Sequence, residues 1–289
     1  PEVIFYRPGG EDKSIESNNG PLGFSGDNLG KGRTLPTQNL VDAFPMKDGM
    51  FAGQGSKYTL NQSNPYENRD PRLDYTILHH GSSWLNNTLD ISIGGVNNPS
   101  NSAEYSKTGY YMCKFMGKFG EESQYGNKIH LWVMFRYAEM LLNYAEAVYE
   151  RDDKISNTDL NISLNLVRLR VNPAMTPLTN ELITQNAGMD MRTEIRRERT
   201  IELFNEGFRL DDLKRWKTAE TEMPMDIVGI QWKGTEYEKV WANCPYETNA
   251  EGCIIIEKGR KWEEKNYLFP LPSDQLQLNP NLQQNPGWE

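Results

Sequence analysis

Glu194, Glu198 and Glu202 recur every fourth residue within "RTEIRRERTIELFNEGFRLDDLKRWK", Arg192 to Lys217. On a helix that spacing sets three carboxylates on one face. Paired carboxylates are what glycoside hydrolysis requires, one protonating the leaving oxygen while the other attacks or activates water. Asp70, Asp74 and Asp90 are spare carboxylates open to the same reading. Like charges four residues apart repel, however, and Arg192, Arg196 and Arg199 adjoin the acidic stripe. Glu194–Arg197 and Arg199–Glu202 are spaced for local ion pairs. Glu198 and Glu206 lack a good local partner and should find one elsewhere, with Arg209, Arg215 and Arg136 as candidates. Ile201, Phe204 and Phe208 give the stretch an apolar face, and Gly207 stands where a helix would end in a left-handed residue. The pattern reads as an ion-pair lattice locking two helices, not as a catalytic set. Nor is it a nucleic-acid grip, because its acids offset its bases and the whole chain carries a net charge of −9. That balance suits neutral or basic ligands.

Other catalytic signals are missing. His79, His80 and His130 are the only histidines, and their spacing suits no common metal site. There is no serine nucleophile elbow, phosphate-binding loop or dinucleotide fingerprint. No cofactor is expected, although a structural calcium ion held by carboxylates and carbonyls stays open. Cys244 and Cys253 bracket the turn-rich "CPYETNAEGC". A disulfide closing so small a ring is worth about 2–3 kcal/mol in the chain-entropy picture and belongs to an oxidising compartment. Two unrelated thiols in a reducing one are the other reading. Cys113, among aromatics in "TGYYMCKF", reads as a small buried hydrophobe.

What remains is aromatic-loop chemistry. Sugar rings stack their C–H faces on Trp, Tyr or Phe while Asn, Gln and Asp bond the hydroxyls, so such a site binds without shifted acids or bases. Phe24, Tyr58, Tyr66 and Trp84 lie in loops rich in Asn, Gly and Ser, and Trp232, Tyr237, Trp241 and Tyr246 do so later. The competing reading is that each ring plugs the core under its own loop.

These residues need a scaffold. At 289 residues, with 37% hydrophobic and 11% aromatic, the chain is long enough to bury a core. No run approaches the roughly 18 apolar residues of a spanning helix. Residues 1–126 read as a loop-rich ligand-binding segment with short strands: "VIFY" at the start, "LDYTILHH" and "TGYYMCKFM". "TQNLVDAF" reads as a short helix capped by Thr37. From Ile129 the texture becomes helical. "LWVMFRYAEMLLNYAEAVYERD" places Ala138, Leu141, Leu142, Ala145, Val148 and Tyr149 on one face and Glu139, Asn143 and Glu146 on a polar stripe. "NTDLNISLNLVRLRVNP" repeats the period until Pro173. Small residues within paired helices point to helix hairpins of the tetratricopeptide sort. Beyond Pro224 aromatic loops are expected, then an extended tail. Residues 127–289 are thus read as a helical segment joined to the first in one integrated domain.

"RYAEMLLNYAEA" (Arg136–Ala147), "RRERTIELFNEGFRLDDLKRW" (Arg196–Trp216) and "YLFPLPSDQLQLNPNLQQNPGW" (Tyr267–Trp288) resemble the SusD/RagB family of Bacteroidetes outer-membrane lipoproteins. "PTQNLVDAFPMKDG", "NRDPRLDYTIL" and "TGYYMCKF" match in the expected order. The resemblance implies a mainly α, SusD-like fold of tetratricopeptide-type hairpins with long ligand-binding loops and few short strands. Arg136, Glu139, Glu146, Glu198, Arg199, Glu202, Gly207, Arg209, Asp212, Arg215 and Trp216 would be its structural signature. It further implies a non-enzymatic, lipid-anchored cell-surface protein that captures oligosaccharides and hands them to a SusC-like TonB-dependent transporter. A peptide-binding, RagB-like role is the alternative, and glycoside hydrolysis a weaker one. Members are about twice this length and this chain matches their C-terminal half, so the signal peptide, acylated cysteine and first helices are expected outside it. Many members place an aromatic in a Gly-rich loop ahead of the "PTQNLVDAF" motif, which makes Phe24 the first choice for a ligand contact.

Overall fold

Tyr137–Asp152 forms the long helix α4, which buries Ala138, Leu141, Leu142 and Ala145 of the expected apolar face, leaves Val148 and Tyr149 partly buried, and also buries Glu146 of the expected polar stripe. Before it come β1 (Val3–Asp12), α1 (Ser14–Asn19), α2 (Gln38–Ala43) and α3 (Arg72–Thr76). The short strands β2 (Ile77–Leu78), β3 (Ser83–Trp84), β4 (Asn87–Thr88) and β5 (Tyr111–Met112) follow, then β6 (Lys128–Arg136). After it come α5 (Asn157–Asn161), α6 (Leu164–Val171), α7 (Asn180–Gln185), α8 (Met191–Glu202), α9 (Arg209–Arg215) and α10 (Ala219–Glu222). β7 (Ile227–Gln231), β8 (Cys253–Glu257) and α11 (Ser273–Leu278) complete the chain. This computed structural model describes residues 2–21, 30–95, 97, 106–117, 125–239, 241–242 and 244–289.

Local chemistry explains most boundaries. Thr37 accepts from the Leu40 amide at the start of α2, and Asp190 accepts from the Thr193 amide at the start of α8. These side chains satisfy amide donors that a first helical turn leaves open. α6 stops at Asn172, one residue before Pro173, as the clash between proline and its predecessor requires. Gly207 has the positive φ expected of it, +92°, but α8 has already ended at Glu202, so it lies in the connection to α9 and not at the helix terminus.

Four expectations are corrected. Residues 128–136 are not the first turns of the long helix but strand β6, pairing antiparallel with β1 in a register that sets Arg7 opposite Trp132 and Asp12 opposite Lys128. Ile129, Trp132, Val133 and Phe135 favour a strand once a partner is present. Gly9 is required in that pairing, since a Cβ there would meet the His130 carbonyl oxygen at 2.4 Å. The second correction is that "LDYT" closes helix α3, leaving only Ile77 and Leu78 to pair with Met112 and Tyr111. Third, the stretch beyond Pro224 contains the antiparallel pair β7–β8, and the tail is not wholly extended, because it includes α11 and a 3-10 turn at Glu264–Tyr267. Last, Cys244 and Cys253 are not bonded to each other, so the candidate bridge is not made.

Three cores form. Leu142, Leu160, Leu164, Leu178 and Ile195 fill the helical one. The second draws Phe44, Leu73 and Ile77 from the loop-rich segment together with Ile201, Ile230, Trp241 and Ile254. The third, beneath the early loops, holds Leu78, Trp84, Leu89, Ile91 and Tyr111. Each fully buried Leu or Ile contributes roughly 1.5–3 kcal/mol relative to exposure.

Candidate functional site

The carboxylates with catalytic spacing are all engaged. Glu198, fully buried, accepts from Arg72 Nη1 at 2.5 Å, and its other oxygen lies 3.5 Å from Arg168 Nη1. Glu202 accepts from Arg72 at 3.0 Å and from Arg136 and Arg170 at 2.7 Å each. Burial pushes the Glu202 carboxyl up, but those three guanidinium groups together outweigh it and hold it at about 2. Glu206 accepts from Arg136 Nε at 2.8 Å and from Lys114 Nζ at 2.6 Å. Of the partners expected for the two unpaired acids, Arg136 reaches Glu206, whereas Arg209 and Arg215 serve other residues. Arg209 bonds Thr200 and Glu222; Arg215 bonds Glu146 and Asp212. The partners of Glu198 are Arg72 and Arg168, which the sequence reading missed. Their signal is a charge set between apolar neighbours, as in "DPRL" and "LVRL".

The remaining signature residues tie helices together. Glu146 accepts from Arg215 Nη2 at 2.8 Å and from the Trp216 indole at 2.5 Å, joining α4 to the end of α9. Arg199 does not pair with Glu202 as its spacing suggests; it donates to Asp212 at 2.8 Å and to Asn143 at 2.7 Å. Glu194–Arg197 does form. Burial pushes the Glu139 carboxyl up against the pull of Arg199. These acids are bonded to cationic, amide or indole donors, and Glu202 and Glu206 also line a cavity.

The aromatic candidates divide. Tyr66, 6% exposed, stacks on the His79 ring at 3.7 Å and meets the Tyr110 ring edge-on at 6.2 Å. Trp84, 7% exposed, belongs to the third core. Both are buried, as the competing reading has it, and Trp84 also lines the cavity described below. Trp241 and Tyr237 are likewise buried in the second core, with Trp232 and Tyr246 packed against it. Tyr58 is half-buried, with Lys57 Nζ 5.3 Å from its ring centre. Phe24 lies outside the described residues. The base of its loop is described: Gly30 donates to the Pro21 carbonyl at 3.3 Å, and a Cβ on Gly20 would stand 3.5 Å from the Trp84 ring.

Beside that base is a cavity of about 450 Å³ lined by Asp74, His79, Ser82, Ser83, the edge of Trp84 and Cys113. Its size falls in the range of small-ligand sites. α3 delivers Asp74, the β3–β4 hairpin delivers Ser83, and β5 leads into Cys113. His79 is clamped, one ring nitrogen 2.8 Å from the His80 carbonyl oxygen and the other 3.1 Å from Asp74. Burial pushes the His80 imidazole down, opposed by Asp90 at 3.7 Å. The Ser82 and Ser83 hydroxyls and the exposed Asp74 carboxylate supply hydrogen-bonding groups at the rim.

A helix-hairpin scaffold thus carries this cavity beside its early loops. The SusD family model matches residues 1–288, so the chain belongs to the SusD family. It is similar to the crystal structure of a SusD-like carbohydrate-binding protein from Bacteroides fragilis, with 27% identity and a TM-score of 0.75 over 98% of this chain and 54% of that one. A second SusD-like protein from Bacteroides fragilis gives 27% identity and a TM-score of 0.73 over 99% and 54%. Surface glycan-binding protein A from Bacteroides uniformis shares the fold at 20% identity and a TM-score of 0.54 over 98% and 48%. The chain thus spans about half the length of the solved relatives it matches. Among proteins with curated functions, none matches. Within the described residues, no helix is long and apolar enough to cross a membrane.

Proposed function

We propose that this protein captures oligosaccharides without turning them over and delivers them to a SusC-like TonB-dependent transporter at the outer-membrane surface, where a lipid anchor holds it. The observation that carries the reading is the cavity of about 450 Å³ whose lining offers Asp74, Ser82 and Ser83. Sugar hydroxyls take such groups as hydrogen-bond partners. Family membership and the carbohydrate-binding relative at 27% identity support it. The net charge of −9 favours a neutral glycan over a polyanionic one.

Affinity electrophoresis against amylopectin, xylan, galactomannan, laminarin and pectin tests this, with Phe24→Ala and Asp74→Ala alongside. Retardation of the parent by one neutral polysaccharide, weakened in both variants, is the expected result. Binding of basic peptides with no retardation by any glycan would instead establish peptide capture. Release of reducing ends, abolished by Asp74→Asn, would make the protein a hydrolase.

A further inference from the structure

Asp74 and Tyr75 are neighbours in the chain that line different cavities, and so are Cys113 and Lys114. The first of each pair borders the cavity described above; the second borders another of about 480 Å³. The segments 74–78 and 112–117 therefore form a wall between the two. On this further side the rings of Tyr75, 62% exposed, and Phe115, 36% exposed, stand at the cavity. Phe115 has a φ of +72°. A bulky residue rarely takes that left-handed conformation, and where it does the surrounding structure imposes it. Here both neighbours are fixed. Lys114 Nζ donates to the Glu202 carbonyl at 3.0 Å and to Glu206 at 2.6 Å, while Met116 is buried in the third core. Held at both sides, the chain turns the Phe115 ring outward instead of into the core.

The floor is the ion lattice itself. Arg136, Arg170, Glu202 and Glu206 line the cavity along with Lys114 and Thr76. They are cross-bonded, so the surface offers fixed donors and acceptors at little reorganisation cost. Arg72 lines it too, and across the network five cations (Arg72, Lys114, Arg136, Arg168 and Arg170) meet five carboxylates (Glu2, Asp70, Glu198, Glu202 and Glu206), leaving no surplus positive charge to draw an anion. Exposed aromatic rings over a rigid, charge-balanced polar floor are the complement of a neutral pyranose, with its apolar face and its ring of hydroxyls.

We propose that this cavity is a second carbohydrate subsite, with Tyr75 and Phe115 as its stacking residues, and that one neutral glycan chain spans the wall to occupy both cavities. The proposal rests on the reading of the first cavity as a glycan site.

Phe115→Gly is the informative substitution, because glycine adopts a φ of +72° freely and the ring is lost without adding backbone strain. In affinity electrophoresis against the same five polysaccharides, the double variant Tyr75→Ala/Phe115→Gly should bind the parent's polysaccharide about tenfold more weakly. Its melting temperature should not fall, and Phe115→Tyr should bind as the parent does. Parental binding by the double variant, while Phe24→Ala and Asp74→Ala lose affinity, would refute the second subsite and leave the first standing. Retardation of the parent by pectin alone would overturn the neutral assignment. If no polysaccharide slows the parent, both readings fall together.

Discussion

Glu198 is a carboxylate with no solvent exposure, facing Arg72 at 2.5 Å and Arg168 at 3.5 Å. Removing it would leave Arg168 buried without its carboxylate, while Arg72 keeps Asp70 and Glu202; breaking a buried ion pair in this way costs about 3–5 kcal/mol. Glu198→Ala should therefore lower unfolding free energy by that amount in urea titrations, while whatever still folds keeps its parental glycan retardation. A large affinity loss at unchanged stability would show that Glu198 itself takes part in binding. Glu202 contributes a pH dependence of definite sign. Its carboxyl is held at about 2 against an ordinary 4.5, so its stabilisation is present above pH 4.5 and is lost as pH falls toward 2. The linked free energy is about 3 kcal/mol. Urea midpoints measured from pH 6 down to 2 should fall most steeply within that window, and Glu202→Gln should flatten the fall.

Among the elements, α8 carries most of the lattice and depends on its first turn. Asp190 accepts from both the amide and the hydroxyl of Thr193. Asp190→Ala should cost about 1 kcal/mol by loss of the cap, measured as a lower thermal midpoint, and Asp190→Ser should recover most of it. The β1–β6 ribbon shows how an element can be misread from one strand alone. Ile129 to Phe135 lead straight into the alternation of α4, and only pairing with β1 separates strand from helix. Once paired, the ribbon brings Glu2 within 2.9 Å of Arg136 and 3.0 Å of Arg170, so it also closes the exposed side of the lattice.

At the scale of the whole molecule, the cores and the lattice bind the loop-rich and helical segments into each other. Phe44 and Leu73 share a core with Ile201 and Ile254, and Arg72 of the first segment meets Glu198 and Glu202 of the second. The thiols report on the same packing. Burial pushes Cys244 and Cys253 up to about 11, so little thiolate forms in the native protein near neutral pH. Alkylation with iodoacetamide should be slow in the native protein. After denaturation without reductant it should label three cysteines per chain; labelling of one alone would mean a bridge.

The sequence by itself determined what lies within a few residues' reach: the buried face of α4, the Thr37 cap, the stop before Pro173 and the left-handed turn at Gly207. Helical periodicity, capping side chains and proline sterics act over three or four positions, so they are written locally. Of the two local ion pairs that the spacing of the Glu194–Trp216 stretch suggested, Glu194–Arg197 forms and Arg199–Glu202 does not. Only the tertiary structure decided that Arg72 closes on Glu198 across 126 residues of chain. It alone turned Tyr66 and Trp84 into cores while leaving Tyr75 and Phe115 outside. Composition marks a ring as able to stack on a sugar or to fill a core, because both uses remove the same apolar surface from water. Which of the two occurs depends on the neighbours that folding brings up from far along the chain.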